Sequence, residues 1–283
     1  MKLRSLLFVP GDRPERMAKA MACAADALIL DLEDSVAPAA KPEARRAVRE
    51  FLAGAQVARA KPIFVRVNPL DGGLTGEDLD AVLPGHPDGI VLPKAEGGES
   101  VAELTRRLTA RGNVTTKVLA IATETPAAVF ALGTYGGQPR LIGLTWGAED
   151  LPAAIGAATS READGRYTPP YELARSLCLF GAAAAGVAPI ETVYPAFRDE
   201  EGLRAYAARA RRDGFTGMMA IHPAQVEAIN AAFTPSDAEV EHARAVVAAF
   251  EANPGAGALS LDGRMIDRPH LVQAHRILAS IGG

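Results

Sequence analysis

The sequence predicts an α/β protein built as a closed (β/α)8 barrel, or TIM barrel. Short apolar runs alternate eight times with longer segments of helical period, which favours a parallel sheet with helices outside it. Eight is also the number of strands that closes such a barrel. The runs at residues 27–30 and 118–121 are continuously apolar, as strands buried on both faces require.

The predicted strands and helices follow one another through residues 1–233. The strands are expected at 3–9, 26–32, 62–68, 88–93, 117–123, 141–146, 188–193 and 216–221. The clearer helical patterns cover residues 18–24, 43–53, 100–110, 171–185, 200–212 and 224–233. Because no linker rich in Ser, Gly or Pro interrupts this stretch, we predict that residues 1–233 form a single barrel.

Residues 234–283 do not fit inside a closed barrel and are predicted to form a C-terminal extension. Ser236 and Glu239 have the spacing of a capping box, so a helix is expected from there to about residue 252. A Pro- and Gly-rich break follows, then a hairpin around Asp262 and a last helix over 269–281. This extension is either an outer cap or an arm that packs on a neighbouring subunit.

Composition excludes several classes of protein. The net charge of −4 argues against general nucleic-acid binding. No block of 18 or more apolar residues occurs, so no membrane span is predicted. The two cysteines, Cys23 and Cys178, have neither CxxC nor metal-ligand spacing, which favours a reducing, cytoplasmic location.

Functional residues of such barrels collect where the strands end, and Glu124 and Asp150 follow adjacent predicted strands. Two carboxylates without nearby Cys or His make an oxygen-only site, which suits Mg²⁺ or Mn²⁺ with water and substrate oxygens as further ligands. Either acid alone could instead cap the helix that follows it. Their positions on neighbouring strand ends favour the metal.

Arg66 ends the third predicted strand, where a buried guanidinium needs a partner. It could hold a carboxylate or a developing enolate oxygen, or form a structural ion pair with Asp31, Glu33 or Asp34. Both roles are compatible. The three acids of residues 31–34 are interpreted equally as partners of Arg66 and Lys94 or as catalytic groups, with Glu33 and Asp34 the candidates.

Two further regions are candidates. Pro10 ends the first strand, and Arg13 and Lys19 lie near the start of the following helix, where backbone amides favour an anion such as a phosphate of coenzyme A. The alternative is a solvated basic face. Asp262 is followed by glycine, and this pair is typical of a hairpin turn; the local sequence alone does not indicate a catalytic role for Asp262.

The sequence resembles the citrate lyase beta subunit family of coenzyme A ester lyases, within the HpcH/HpaI aldolase group that includes malyl-CoA and citramalyl-CoA lyases. The likeness spans nearly the whole chain in order. The motifs that carry it are SLLFVPGDRPERM (5–17), DALILDLEDSV (26–36), FVRVN (64–68), VLPK (91–94), TETP (123–126), GAEDL (147–151), AIHPAQV (220–226), FTPS (233–236) and LDGRMID (261–267).

The resemblance implies a barrel that assembles as a homotrimer or hexamer. It implies Glu124 and Asp150 as Mg²⁺ ligands and Arg66 as the group on the substrate or enolate oxygen. The acid of the family's C-terminal motif maps to Asp262, which is expected to reach into a neighbour's active site as acid or base.

We therefore expect a Mg²⁺-dependent carbon–carbon lyase that cleaves or forms a 3-hydroxyacyl-CoA, with citramalyl-CoA, malyl-CoA and citryl-CoA as candidates. Such an enzyme would yield acetyl-CoA and a 2-keto acid. The alternatives are an aldolase acting on free 2-keto acids, an acyl-CoA thioesterase, and a subunit of a lyase complex that acts on an acyl carrier protein thioester.

Overall fold

Eight parallel strands close into a barrel in the computed structural model, which describes residues 1–55 and 60–282. The strands are β1 (Ser5–Pro10), β2 (Ala27–Asp31), β3 (Ile63–Arg66), β4 (Gly89–Leu92), β5 (Lys117–Ile121), β6 (Leu141–Thr145), β7 (Ala188–Glu191) and β8 (Gly217–Ala220). Neighbours in the chain pair in order, and β8 pairs with β1 to close the barrel. The predicted fold class is confirmed, with strand ends shifted by no more than two residues.

Helices cover the outside of the barrel. They are α1 (Pro14–Met21), α2 (Lys41–Ala55), α3 (Thr75–Val82), α4 (Gly98–Ala110), α5 (Pro126–Phe130), α6 (Asp150–Ile155), α7 (Pro169–Ala185), α8 (Glu200–Asp213) and α9 (Val226–Ala232). The predicted range 18–24 for the first helix is wrong at both ends. The helix begins at Pro14 because proline, whose missing N–H needs no partner there, is favoured at the first helical position.

Apolar side chains of the strands alternate between two cores. Leu28, Leu30 and Val65 point outward into the large core between the strands and the helices. Ile29 and Phe64 point inward and, with their neighbours, fill the centre of the barrel. The continuously apolar strand sequences thus reflect burial on both faces. The inward-facing apolar side chains fill the barrel interior next to the polar residues at the carboxyl ends of the strands.

The extension consists of two helices and a hairpin. Its elements are α10 (Asp237–Ala252), β9 (Ala258–Leu261), β10 (Arg264–Asp267) and α11 (Arg268–Ile281). The predicted capping box at the start of α10 is present, since the Ser236 hydroxyl accepts from the amide of Glu239 and the Glu239 carboxylate accepts from the amide of Ser236. Asp262 and Gly263 both have positive φ, 50° and 74°, as a two-residue hairpin turn requires.

The extension has a small apolar cluster of its own. Phe250 of α10, Ile266 of β10 and Ala274 of α11 are buried against one another. An ion pair of 2.7 Å between Arg211 of α8 and Glu239 joins α10 to the barrel. Across the described chain, every helix is too short or too polar to cross a bilayer.

Candidate active site

The carboxyl ends of the strands surround a cavity of about 340 Å³. Its wall includes Pro10 after β1, Asp31 and Arg66 at the ends of β2 and β3, and Glu124 and Asp150 beyond β5 and β6. Parallel strands place all their carboxyl ends at one rim, so residues far apart in sequence meet there. The predicted acids and Arg66 therefore lie together in one cavity.

Glu124 is only 3% exposed, although it carries a carboxyl group. The backbone amide of Lys94 donates a hydrogen bond to its Oε2. Lys94 adopts a left-handed backbone with φ 49°, which is costly for a residue with a side chain and recurs at functional sites. Burial raises the pKa of Glu124 to about 8; the Lys94 amide opposes this shift, and the charges of Asp150 and Glu33 add to it. A cation beside Glu124 would favour its charged form.

Asp150 is the first residue of α6, and its side chain is 34% exposed at the cavity. The Lys94 ammonium lies 3.3 Å from Asp150 and 2.8 Å from Glu33, so it bridges the two carboxylates. Burial alone would lower the pKa of Lys94, but the bond with Glu33 and the surrounding acids raise it above its usual value. Lys94 is consequently a fixed positive charge between β2 and β6.

Arg66 makes a bidentate ion pair with Asp31. Its Nε and Nη2 each donate to an Asp31 oxygen at 2.7 Å, and Nη1 lies 2.8 Å from Glu33 and 3.8 Å from Asp34. Burial would raise the pKa of Asp31, but the hydrogen bonds from Arg66 hold it below its usual value. The guanidinium also lies 4.9 Å from the ring centre of Phe8. These contacts fix the direction in which Arg66 faces the cavity.

The capping alternatives considered for the two acids do not occur in the structure. Thr125, not Glu124, caps α5 by accepting from the amide of Ala128. Asp150 lies inside the first turn of α6, and the residue at the cap position, Glu149, makes no side-chain capping bond. Both carboxylates are therefore available to the cavity.

Other candidate residues lie away from the cavity wall. Arg13, the residue before α1, and Lys19 are both exposed. The predicted position of Lys19 near the start of the helix is wrong: because the helix begins at Pro14 and ends at Met21, Lys19 lies in its last turn. Asp262 is exposed at the tip of the extension hairpin. Within the described chain, the cavity wall contains only barrel residues, the last of them Ile221. The structure of one chain does not bring Asp262 to its own cavity.

The donor set fits a divalent cation that keeps water and substrate ligands. Among residues 1–55 and 60–282, no group of three or more His, Cys, Asp or Glu side chains could enclose a metal by itself. Glu124 and Asp150 supply only carboxylate oxygens to one cavity. One or two carboxylates with the remaining positions left to water and substrate is the arrangement typical of Mg²⁺.

Sequence reasoning missed three residues at this site. Thr145 and Trp146, at the end of β6, line the cavity, and Trp146 is held by Glu191 at the end of β7 through its indole N–H. Glu191 is fully buried and also accepts from Arg175 at 2.7 Å. Their positions at strand ends could have indicated Thr145 and Glu191; the contact between Trp146 and Glu191 depends on the fold.

Comparison with known proteins places this geometry in a family. Residues 4–223 match the model of the HpcH/HpaI aldolase/citrate lyase family. The chain belongs to this family. It is therefore an enzyme of the aldolase/citrate lyase type, and the predicted relationship to citrate lyase beta subunits is confirmed.

Two relatives and one solved structure show how similar this chain is to other members of the family. A (3S)-malyl-CoA thioesterase of Cereibacter sphaeroides is 37% identical over 98% of this chain and 93% of its own. A citrate lyase subunit beta-like protein of Mycobacterium tuberculosis is 37% identical over 98% and 94%. The crystal structure of CitE from M. tuberculosis with magnesium, acetoacetate and coenzyme A has a TM-score of 0.82 and 36% identity, covering 99% of this chain and 98% of the other.

Proposed function

We propose that the protein is a Mg²⁺-dependent lyase that cleaves or forms the carbon–carbon bond of a 3-hydroxyacyl-CoA. The observation that carries this proposal is the convergence of Glu124, Asp150 and Arg66 on one cavity at the carboxyl end of the barrel. The likeness to CitE in complex with magnesium, acetoacetate and coenzyme A supports it. Citramalyl-CoA, malyl-CoA and citryl-CoA are the candidate substrates.

Glu124 and Asp150 are the residues proposed to hold the cation. Bound Mg²⁺ supplies a Lewis acid that lowers the pKa of a hydroxyl group and holds a 2-oxo acid. The Lys94 amide orients Glu124, and the Lys94 ammonium holds Asp150 and Glu33 in place. This lysine therefore acts as a positioning residue for the acids around it.

The remaining chemistry is assigned to residues of the chain. Asp34 lines the cavity and is proposed to take the proton of the 3-hydroxyl group. As the oxygen–hydrogen electrons form the keto-acid carbonyl, the bond between carbons 2 and 3 breaks and its electron pair forms a thioester enolate. Arg66, fixed by Asp31, faces the enolate oxygen and stabilises its charge. A proton delivered to carbon 2 then completes acetyl-CoA.

Asp262 from a neighbouring copy of the chain is proposed to deliver that proton. The acid is exposed at a hairpin tip, and the extension that carries it has an apolar cluster separate from the barrel cores. In a homotrimer or hexamer such an arm could close an adjacent cavity. Pro10 lines the cavity, Arg13 immediately precedes α1, and Lys19 lies in the last turn of α1. All three are proposed to contact coenzyme A, the two basic side chains through its phosphates.

The test is an assay of the purified protein with MgCl₂ and each of the three thioesters, measuring the released keto acid. We expect cleavage of at least one thioester and its loss in Glu124→Gln and Asp150→Asn. Glu99→Gln, on an 82% exposed side chain of α4, is the matched control and should retain activity. Full activity of Glu124→Gln in the presence of chelator would end the proposal.

Thioester hydrolysis is a second candidate, favoured by the likeness to the (3S)-malyl-CoA thioesterase. The same assay separates the two reactions, because hydrolysis releases the free thiol of coenzyme A while cleavage alone releases acetyl-CoA. Turnover by the isolated chain on acyl-CoA would also argue against a subunit restricted to an acyl carrier protein, and turnover of a free 2-keto acid would favour an aldolase.

A further inference from the structure

Thr145, the last residue of β6, carries a hydroxyl group whose role the proposed chemistry leaves open. The residue is 1% exposed and lines the cavity. Its backbone belongs to the barrel, since the carbonyl accepts from Ala122 at 2.8 Å and the residue pairs in register with Ile121 and Ile190. The side chain is therefore held in place by the strand.

The hydroxyl of Thr145 has no hydrogen-bond partner within residues 1–55 and 60–282. Ile121, which pairs in register with Thr145, is apolar, as are Val193 and Met219 elsewhere on the cavity wall. Thr123 on the adjacent strand end provides a contrast, because its hydroxyl accepts from the amide of Gly147 at 3.0 Å. A buried hydroxyl normally finds such a partner, and leaving one unpaired reduces stability.

Thr145, the last residue of β6, lines the same cavity as Glu124 and Asp150, which follow β5 and β6. Gly147 packs directly against the side chain of Glu124. Thr145 pairs in register with Ile121 and Ile190, whose side chains belong to the centre of the barrel, and it lines the cavity together with Gly147. Arg66 approaches from β3, which is three strands away in the barrel. A small molecule held between Arg66 and the acids would thus share this cavity with the side chain of Thr145.

We propose that the Thr145 hydroxyl is a substrate-binding group that donates a hydrogen bond to an oxygen of the short 2-oxo acid end of the substrate. The inference rests on the proposed function, which places that end beside Glu124 and Asp150. An uncharged donor in an apolar surrounding suits a keto or carboxylate oxygen whose charge the metal site compensates. Binding of the 2-oxo acid supplies the partner that the fold leaves out.

The experiment compares Thr145→Val, which keeps the shape and removes the hydroxyl, with Thr145→Ser, which keeps the hydroxyl. Pyruvate with MgCl₂ is the probe, and its dissociation constant is measured by calorimetry. We expect Thr145→Val to bind pyruvate about 10- to 100-fold more weakly and Thr145→Ser to bind within about threefold of the original. The thermal midpoint of ligand-free Thr145→Val should be unchanged or raised, because no internal hydrogen bond is lost.

The matched control is Thr105→Val. Thr105 lies on α4, outside the cavity wall, and its hydroxyl likewise has no partner among the described residues. This variant should bind pyruvate normally. Unchanged affinity in Thr145→Val, equal weakening in Thr145→Ser, or a lowered midpoint of Thr145→Val would overturn the inference while leaving the proposed function intact. Absence of binding of pyruvate, glyoxylate and oxaloacetate, the 2-oxo acids of the three candidate substrates, by the unmodified protein with MgCl₂ would remove the basis of both.

Discussion

Gly147 and Glu124 are in direct contact, and only a glycine leaves room for the acid. A Cβ atom at position 147 would overlap the Cγ of Glu124 and lie 3.1 Å from its Cδ. Since Glu124 is buried, its side chain cannot swing into solvent to avoid the clash. Gly147, two residues after the end of β6, thus determines where the side chain of Glu124, one of the two proposed metal ligands, is placed.

Gly147→Ala is therefore expected to weaken Mg²⁺ binding by about 10- to 100-fold, as is typical when the support of a metal ligand is altered. The measurement is a calorimetric Mg²⁺ titration, with activity followed against MgCl₂ concentration. Gly133→Ala is the control, since a Cβ there meets no described atom within 4 Å. Unaltered Mg²⁺ affinity in Gly147→Ala would contradict the assignment of Glu124 as a ligand.

Arg66→Lys tests the guanidinium at the cavity. Lysine keeps the charge but cannot reproduce both hydrogen bonds to Asp31, and it cannot face an enolate oxygen at the same time. We expect kcat/KM to fall about 100- to 1,000-fold, the cost typical of losing one oxyanion donor. The unfolding free energy should also fall by about 1–3 kcal/mol, because buried Asp31 loses a charged hydrogen bond.

Arg46→Lys is the comparison for that variant. Arg46 pairs with Glu43 and Glu50 on an exposed face of α2, where ion pairs contribute little to stability. Neither rate nor stability should change measurably there. Near-normal kcat/KM in Arg66→Lys would mean that the planar arrangement of guanidinium N–H donors is dispensable for the reaction.

Mixing inactive variants tests whether Asp262 serves another copy of the chain. Asp262→Asn and Glu124→Gln should each be inactive, but subunits exchanged between them should regain about one quarter of normal activity. In an equal mixture, half of the cavities contain an intact Glu124, and half of the extensions that reach a cavity contain an intact Asp262. One cavity in four in a symmetric assembly therefore has both acids.

The control for that experiment mixes Glu124→Gln with Asp150→Asn. Both changes affect the pocket of one chain, whose wall both residues line, so mixing should restore nothing. Failure of the first mixture to recover activity, after subunit exchange is verified by mass, would assign Asp262 to its own chain or to no catalytic role.

Asp26 gives the barrel a pH-dependent contribution to stability. Burial by itself would raise its pKa, but hydrogen bonds from the side chain and backbone of Arg4, at 2.8–2.9 Å, lower it below the usual value. A carboxyl group whose pKa is lower in the folded state stabilises the protein above its unfolded pKa of about 4. That contribution disappears as the pH falls through the lower, folded pKa.

Asp26→Asn should therefore lower the free energy of unfolding by about 1–3 kcal/mol at pH 7. The difference in unfolding free energy between the variant and the original protein should shrink toward zero below pH 4. Urea unfolding between pH 3 and pH 7 measures it. Arg4→Gln should remove much of the same energy, so the double variant will be far from additive. A difference that stays constant with pH would show that the ion pair is not its source.

The barrel and the main acids of the site could be predicted because they depend on local pattern and strand order. Continuous apolar runs fixed the strands, and the rule that parallel strand ends meet at one rim placed Glu124, Asp150 and Arg66 together. The start of α1 was misplaced because the helical periodicity is clearest after Ala18, whereas the helix already begins at Pro14.

Other features depend on contacts that no local pattern encodes. The left-handed backbone of Lys94, which turns its amide toward Glu124, follows from the loop between β4 and α4. The hydroxyl of Thr145 is unpaired because of the side chains that other strands place around it in the cavity, and these neighbours are set by the fold. The position of Asp262 relative to a second chain depends on assembly, which the sequence addresses only through family resemblance.

The excess of carboxylates over cations around Arg66 and Lys94 has a kinetic consequence. These carboxylates would repel an acyl-CoA whose acyl part is itself anionic at the opening of the cavity, whereas they would attract a divalent cation. We therefore expect the metal ion to bind first and the thioester second. Steady-state kinetics should then display compulsory rather than random addition.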